Sequence, residues 1–336
     1  MNTEATAILK HARDLLDPKQ KRSSAIAGGF AWWGRDIRTE AVICSPPDQP
    51  PIFRIGSDMW KGFEGSPSEM ALLSSILKDS TLSAPARMKT DPTRLGLWVD
   101  IPLDQEKGSW MAGFLALVAA QQNAEAARFA RIGHAWKADS CNLGSNEGIV
   151  PSPYAEIETE LLTGLGRRDS LFGKDVGLIA EQMESESLFN VHAGIHGVSA
   201  EVNLGSQTAL LRFLTKQPHP RLGNGLFCFL TIPLEADPSL AMRMNELGLG
   251  SVNPIYGPGS WCVGEVGLTH LSFYPNAIYR DGLSSWVVDW SVQRARWIVD
   301  VILGTVFGGT VGTSGGRNLP LYQSLIEIYR GEHATP

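Results

Sequence analysis

Apolar runs set so close together that no helix fits between several of them constrain this chain more than any other feature. Ala25 to Trp33 (AIAGGFAWW), Ile37 to Cys44 (IRTEAVIC) and Pro51 to Ile55 (PIFRI) are divided by Gly, Asp and Pro clusters and read as three short strands. The same vocabulary returns at Leu188 to Ile195, Val198 to Leu204, Thr208 to Leu214 and Leu226 to Leu234. Parallel neighbours need a crossover of roughly a dozen residues or more. The gaps here are shorter, so mostly antiparallel sheets are expected rather than a doubly wound fold.

Helical stretches surround these strands in an order that occurs twice. The chain opens on an amphipathic helix with Ile8, Leu9, Ala12, Leu15 and Leu16 on one side, a pattern unlike a secretory signal. Ser66-Pro67-Ser68-Glu69 has the form of a capping box with proline at the first helical position, and starts a short helix. Strand Leu95 to Ile101 follows, then a long helix from about Ser109 to Ile132 with Met111, Phe114, Leu115, Val118 and Phe129 in one broad sector. After a connector, Asp139 to Pro153, come helices over Tyr154 to Leu165 and about Ser170 to Glu184. Past the second group of strands, Asp237-Pro238 opens a helix through Leu247. Trp261 to Tyr274 holds two strands broken near Gly264 and Gly267, and a long helix runs from Leu283 to Leu303. Helix, strands, short helix, strand, long helix: the repetition predicts an α+β protein of two similar domains, each a mostly antiparallel sheet covered by helices, from an internal duplication. The expected units are 1–145 and 154–303, with 304–336 as a Gly-rich hinge plus a short terminal helix. One local echo points the same way, since Leu97 to Asp104 and Phe229 to Glu235 are both apolar strands ending in Ile-Pro-Leu-acid.

Composition removes several functional classes. With 19% charged residues, a net charge of −6 and only short basic runs (Lys19-Gln20-Lys21-Arg22, Arg167-Arg168), the chain lacks the basic stripe that phosphate backbones require. The longest apolar runs, Trp110 to Ala120 and Ile298 to Val311, fall short of the roughly 20 residues that span a bilayer. Four scattered cysteines without a CxxC pair fit a reducing cytoplasm.

Motifs of catalysis are weak. His192 and His196 share a strand-like segment, roughly 13 Å apart at about 3.3 Å per residue, too far for one metal ion, so neither metal nor cofactor is expected. No G-x-S-x-G elbow surrounds any serine. Cys228 and Cys262 sit in apolar strands, where thiols are inert. The glycines of Gly304 to Gly316 lack the lysine of a P-loop.

The helix Leu283 to Leu303 is unusual in having two apolar faces. Trp286, Trp290, Trp297 and Val301 fall in one sector, and Val288, Val292, Ala295, Val299 and Ile302 in the opposite one. The aliphatic face suits a sheet. The tryptophan stripe then needs a further cover: the other domain, a second subunit or a ligand.

The segment Leu268 to Leu303, a strand (LTHLSFYPNAIY) ending near a proline ahead of the long last helix, resembles the type III secretion chaperone and YbjN-like superfamily. The resemblance implies a non-catalytic peptide- or protein-binding module that often dimerises. This chain is longer than the simple family, so its two halves stand as an intramolecular pseudo-dimer in place of, or besides, a homodimer. The expectation is therefore a cytoplasmic, bacterial-type, chaperone-like module that binds a protein or peptide partner through Trp286, Trp290 and Trp297. Two alternatives stay open: an enzyme with an inter-domain site drawing on His192, His196, His270 or Arg280, and a structural subunit of a larger complex.

Overall fold

In the computed structural model of the chain, the described residues are 3–34, 37–45, 51–79, 83–88, 94–103, 108–135, 169–203, 208–220, 222–234, 236–250 and 256–299. The connector, the expected helix Tyr154 to Leu165, the inter-domain boundary and the segment 304–336 lie outside them.

The first half runs α1 (Thr3–Leu16), β1 (Ser23–Ile26), β2 (Gly29–Gly34), β3 (Ile37–Cys44), β4 (Ile52–Lys61), α2 (Pro67–Asp79), β5 (Ala84–Met88), β6 (Arg94–Pro102) and α3 (Gly108–Ala135). The second begins with a 3-10 turn, Leu171–Asp175. It continues through α4 (Val176–Glu184), β7 (Phe189–Gly194), β8 (Gly197–Asn203), β9 (Thr208–Leu214), β10 (Gly225–Ile232), α5 (Pro238–Gly250), β11 (Ser260–Val263), β12 (Leu268–Pro275) and α6 (Leu283–Val299).

Each half carries one six-stranded sheet, ordered β1-β2-β3-β4-β6-β5 and β7-β8-β9-β10-β12-β11. Every pairing between these strands is antiparallel. The two orders are the same, strand for strand, so the fold is α+β with two similar sheet domains. In both halves the helix between the fourth and fifth strands carries the chain across to an edge strand, which folds back to fill the gap beside the fourth.

Local chemistry accounts for the elements. In β3 the inward residues Ile37, Thr39 and Ala41 alternate with half-exposed Arg38, Glu40 and Val42, as a strand with one solvated face requires. The expected capping box forms at α2: the Ser66 N–H donates to Glu69 Oε2 (2.8 Å), and the Glu69 N–H donates to Ser66 Oγ (3.4 Å). At α5 the Leu240 N–H donates to Asp237 Oδ1 (2.8 Å). Both sheets open on a hairpin with a two-residue turn, Ala27-Gly28 and Ile195-His196. Its second strand begins in each case with a glycine, because a Cβ at Gly29 or Gly197 would collide with the carbonyl oxygen of Ala41 or Phe213 on the next strand.

Matching the registers shows that the Ile-Pro-Leu echo pairs strands that are not counterparts. It joins β6 to β10, whereas the counterpart of β6 is β12. The true correspondence sets Pro102, opposite the first residue of β4, against Pro275, opposite the first residue of β10. The strand-proline-long helix pattern thus occurs in both halves, as LGLWVDIP before α3 and LTHLSFYP before α6.

The halves pack together through elements that correspond. α2 lies against α5 and β11, and reciprocally α5 lies against α2 and β5. The inner edge of each sheet is therefore covered by a helix of the other half. Among the described residues, no helix is long and apolar enough to cross a membrane.

Candidate functional site

The tryptophan stripe lies in the seam between the halves. Trp286 meets Trp110 of α3 with ring centroids 4.9 Å apart, and Trp290 meets Phe114, one turn further along α3, at 6.4 Å. Trp286 and Trp290 are buried, at 6% and 3% exposure, while Trp297 is half-buried at the margin of the core. On another side of α6, Cys228 Sγ lies 3.1 Å from Ser291 Oγ, which seats the helix on β10. Both faces of α6 are consequently covered from within. Of the three residues expected to contact a partner, Trp286 and Trp290 face α3 of the same chain, which is the other-domain cover among the three considered for this stripe. Trp110 and Phe114, four residues apart near the start of α3, were the sequence signal for the opposing half of this contact.

Polar groups cross the same seam. The backbone N–H of Gly257 donates to the Asp100 carbonyl (2.9 Å), and Ser260 Oγ donates to the Leu77 carbonyl (3.2 Å). Arg54 forms a two-pronged pair with Asp100, Nε to Oδ1 at 2.8 Å and Nη2 to Oδ2 at 2.7 Å, and Nη2 also donates to the Leu249 carbonyl. The Asp100 side chain is fully buried. Both of its carboxylate oxygens accept from the Arg54 fork. Gly257, at φ 93°, lies so close under the Trp290 ring that a Cβ there would strike it. The Gly257-Pro258-Gly259 segment is therefore a close-packed bridge between halves rather than a simple turn into β11.

Between these groups lies a cavity of about 30 Å³ bordered by Trp98, Asp100, Asn245, Trp261, His270 and Arg294. A single water needs on the order of 10–15 Å³, so the space suits a water or two and no organic substrate. Arg294 is buried and donates through Nη2 to the Tyr256 carbonyl (3.0 Å). Burial, and then the Arg294 charge, push the imidazole of His270 well below its ordinary pKa, so it is neutral. Burial likewise raises the Cys262 thiol to about 11, which removes it as a thiolate nucleophile.

Of the residues considered for an inter-domain active site, only His270 borders this cavity. His192 is exposed on β7 and His196 is exposed in the two-residue turn rather than on a strand. Arg280 is exposed and donates to the carbonyls of Ala277 and Tyr279. The convergence that an enzyme of this kind needs is missing from these four. Among the described residues, no group of three or more His, Cys, Asp or Glu side chains is placed to hold a metal.

The outer edges of the two sheets differ. β1 has four residues, and Arg13 of α1 reaches it, donating through Nε to Ser23 Oγ (2.8 Å) and through Nη2 to the Ser23 carbonyl (3.2 Å). β7 has six residues, Phe189-Asn190-Val191-His192-Ala193-Gly194, and among the described residues pairs only with β8. Asn190, His192, Ala193 and Gly194 are exposed, and Ile195 at the hairpin tip is 83% exposed. Proteins usually guard such an edge with lysine, proline or a bulge. β7 carries none of these. The sequence displayed that lack of guards, but not that this strand would stand at an edge. Comparison of the chain with protein-family models, with curated proteins and with solved structures gives no match.

Proposed function

We propose that the chain is a cytoplasmic, bacterial-type, chaperone-like binding module without catalysis, and that it takes an extended segment of a protein partner as a further strand along β7. The single observation that carries this reading is β7 itself: six residues long against four or five in the other three edge strands, flanked by α4, and paired on one side only among the described residues, with no lysine, proline or bulge. Strand addition obtains affinity from main-chain hydrogen bonds and tolerates varied sequences, which suits a chaperone-like role. The resemblance to the secretion-chaperone and YbjN-like superfamily accords with it, the more so because its strand-proline-helix pattern recurs in the first half. In this reading the aromatic face of α6 holds the two halves as a pseudo-dimer, and half-buried Trp297 is its one member near the surface.

The test uses the alternation of the ladder. Gly194 and Gly197 close the hairpin as a hydrogen-bonded pair, so Val191 and Ala193 direct their N–H groups away from β8. Partners recovered from the native host by affinity purification are to be identified by mass spectrometry and assayed against the wild type and Val191→Pro. Hydrogen exchange would then show slowed amides at Val191 and Ala193 in the complex. The expected result is at least a tenfold loss of affinity in Val191→Pro with little change in melting temperature. Unchanged affinity, or protection confined to other elements, would rule out strand addition here.

A further inference from the structure

At the far end of the first half, α1 and the β1–β2 hairpin line a cavity of about 220 Å³ that opens to solvent. Its floor is apolar: Leu9 and Phe30 are buried, and Ile26 and Ile43 form half-buried walls. At the hairpin the space is bordered by the backbone of Gly28 and Gly29; the turn residue Gly28 stands where the second half has His196. Lys10 and Arg13 border it, and no carboxylate does so among the described residues. Arg13 lies four residues after Leu9 and three after Lys10, so it shares a helix face with each of them, and all three border the space. Arg13 is fixed by its two bonds to Ser23, whereas exposed Lys10 makes no ion pair among the described residues. Two cations, with no carboxylate bordering the space among the described residues, set the sign of what it attracts.

We infer that this cavity is a binding site for a short apolar monocarboxylate of the medium-chain fatty-acid type, its chain on Leu9 and Phe30 and its carboxylate at Lys10 and Arg13. The volume lies below the roughly 300 Å³ at which sites for drug-sized ligands begin, which suits a short chain. The apolar floor disfavours a free phosphate or nucleotide, whose charge would lie against hydrocarbon.

The inference is independent of strand addition at β7, and the experiment separates the two. Octanoate, octan-1-ol and octylamine are titrated into the isotope-labelled full chain, followed by amide shifts. The expected outcome is saturable change confined to α1 and the β1–β2 hairpin, with octanoate binding at least tenfold tighter than the other two. Lys10→Glu, on an exposed position, should remove most of that preference, and Ile26→Trp should abolish binding by filling the cavity. Val191→Pro should leave octanoate binding unchanged. Equal binding of octanol and octanoate, or shifts that map elsewhere, would overturn the site. Tighter binding by a leucine-ended tripeptide with a free carboxylate would overturn the free-acid assignment in favour of a chain end.

Discussion

A neutral imidazole in the seam gives the protein a pH dependence whose sign is fixed. Burial, then the Arg294 charge, hold the pKa of His270 in the folded chain well below that of a free histidine, which is near 6.5. Below about pH 6.5 the unfolded chain takes up a proton that the folded chain refuses, so stability is present above that pH and is lost as pH falls through it. One such group contributes a slope of at most about 1.4 kcal/mol per pH unit. Thermal melts between pH 7 and 5 should therefore show a falling melting temperature that His270→Gln flattens; an identical slope in the variant would mean that His270 is not the group responsible. The sequence placed His270 on a strand. It did not show the depth, because the imidazole is covered by the turn at Gly259 and by Arg294 of α6, and how these pack over β12 is not written in the strand's own residues.

At the scale of elements, α6 shows what periodicity settles and what it leaves open. Its spacing of Trp286, Trp290 and Trp297 against Val288, Val292 and Ala295 established two apolar faces, since the angle between side chains on a helix is set by local geometry alone. Which neighbour covers the tryptophan face depends on α3, more than 150 residues earlier. Trp290→Ala should cost about 3–5 kcal/mol in urea unfolding, as deletion of a buried aromatic does, with half-buried Trp297→Ala costing less than half of that. A Trp290→Ala variant of undiminished stability would place the ring outside the core. Strand β5 escaped detection for a similar reason: Ala84-Pro85-Ala86-Arg87-Met88 has neither an apolar run nor alternation, and is held as an edge strand by β6 and by α5 of the opposite half. The β6 and β10 echo misled because a strand closed by proline is common, whereas strand order decides which copies correspond.

For the whole molecule, the seam makes the halves interdependent. Phe114 packs with Trp290, and Asp100 accepts from Gly257 while its carboxylate holds Arg54, so separating the halves exposes aromatic rings and a buried ion pair. Calorimetric unfolding of the full chain should therefore be one cooperative transition, with the calorimetric and van't Hoff enthalpies equal. Two resolved transitions would mean that the halves are stable apart. By itself the sequence determined most of the strands, though not β5 or the division of Ala25 to Trp33 into β1 and β2, together with the caps at Ser66 and Asp237, the antiparallel pairing, the repeated order of elements and the two-faced last helix, because each of these follows from residues within a turn, a hairpin or one helix. Only the tertiary structure decided the order of strands in each sheet, the neighbour of the tryptophan face, the neutrality of His270, the open edge of β7 and the cavity beneath α1. Each of those is set by groups from different elements, which meet only when the strands have paired and the helices have packed on them.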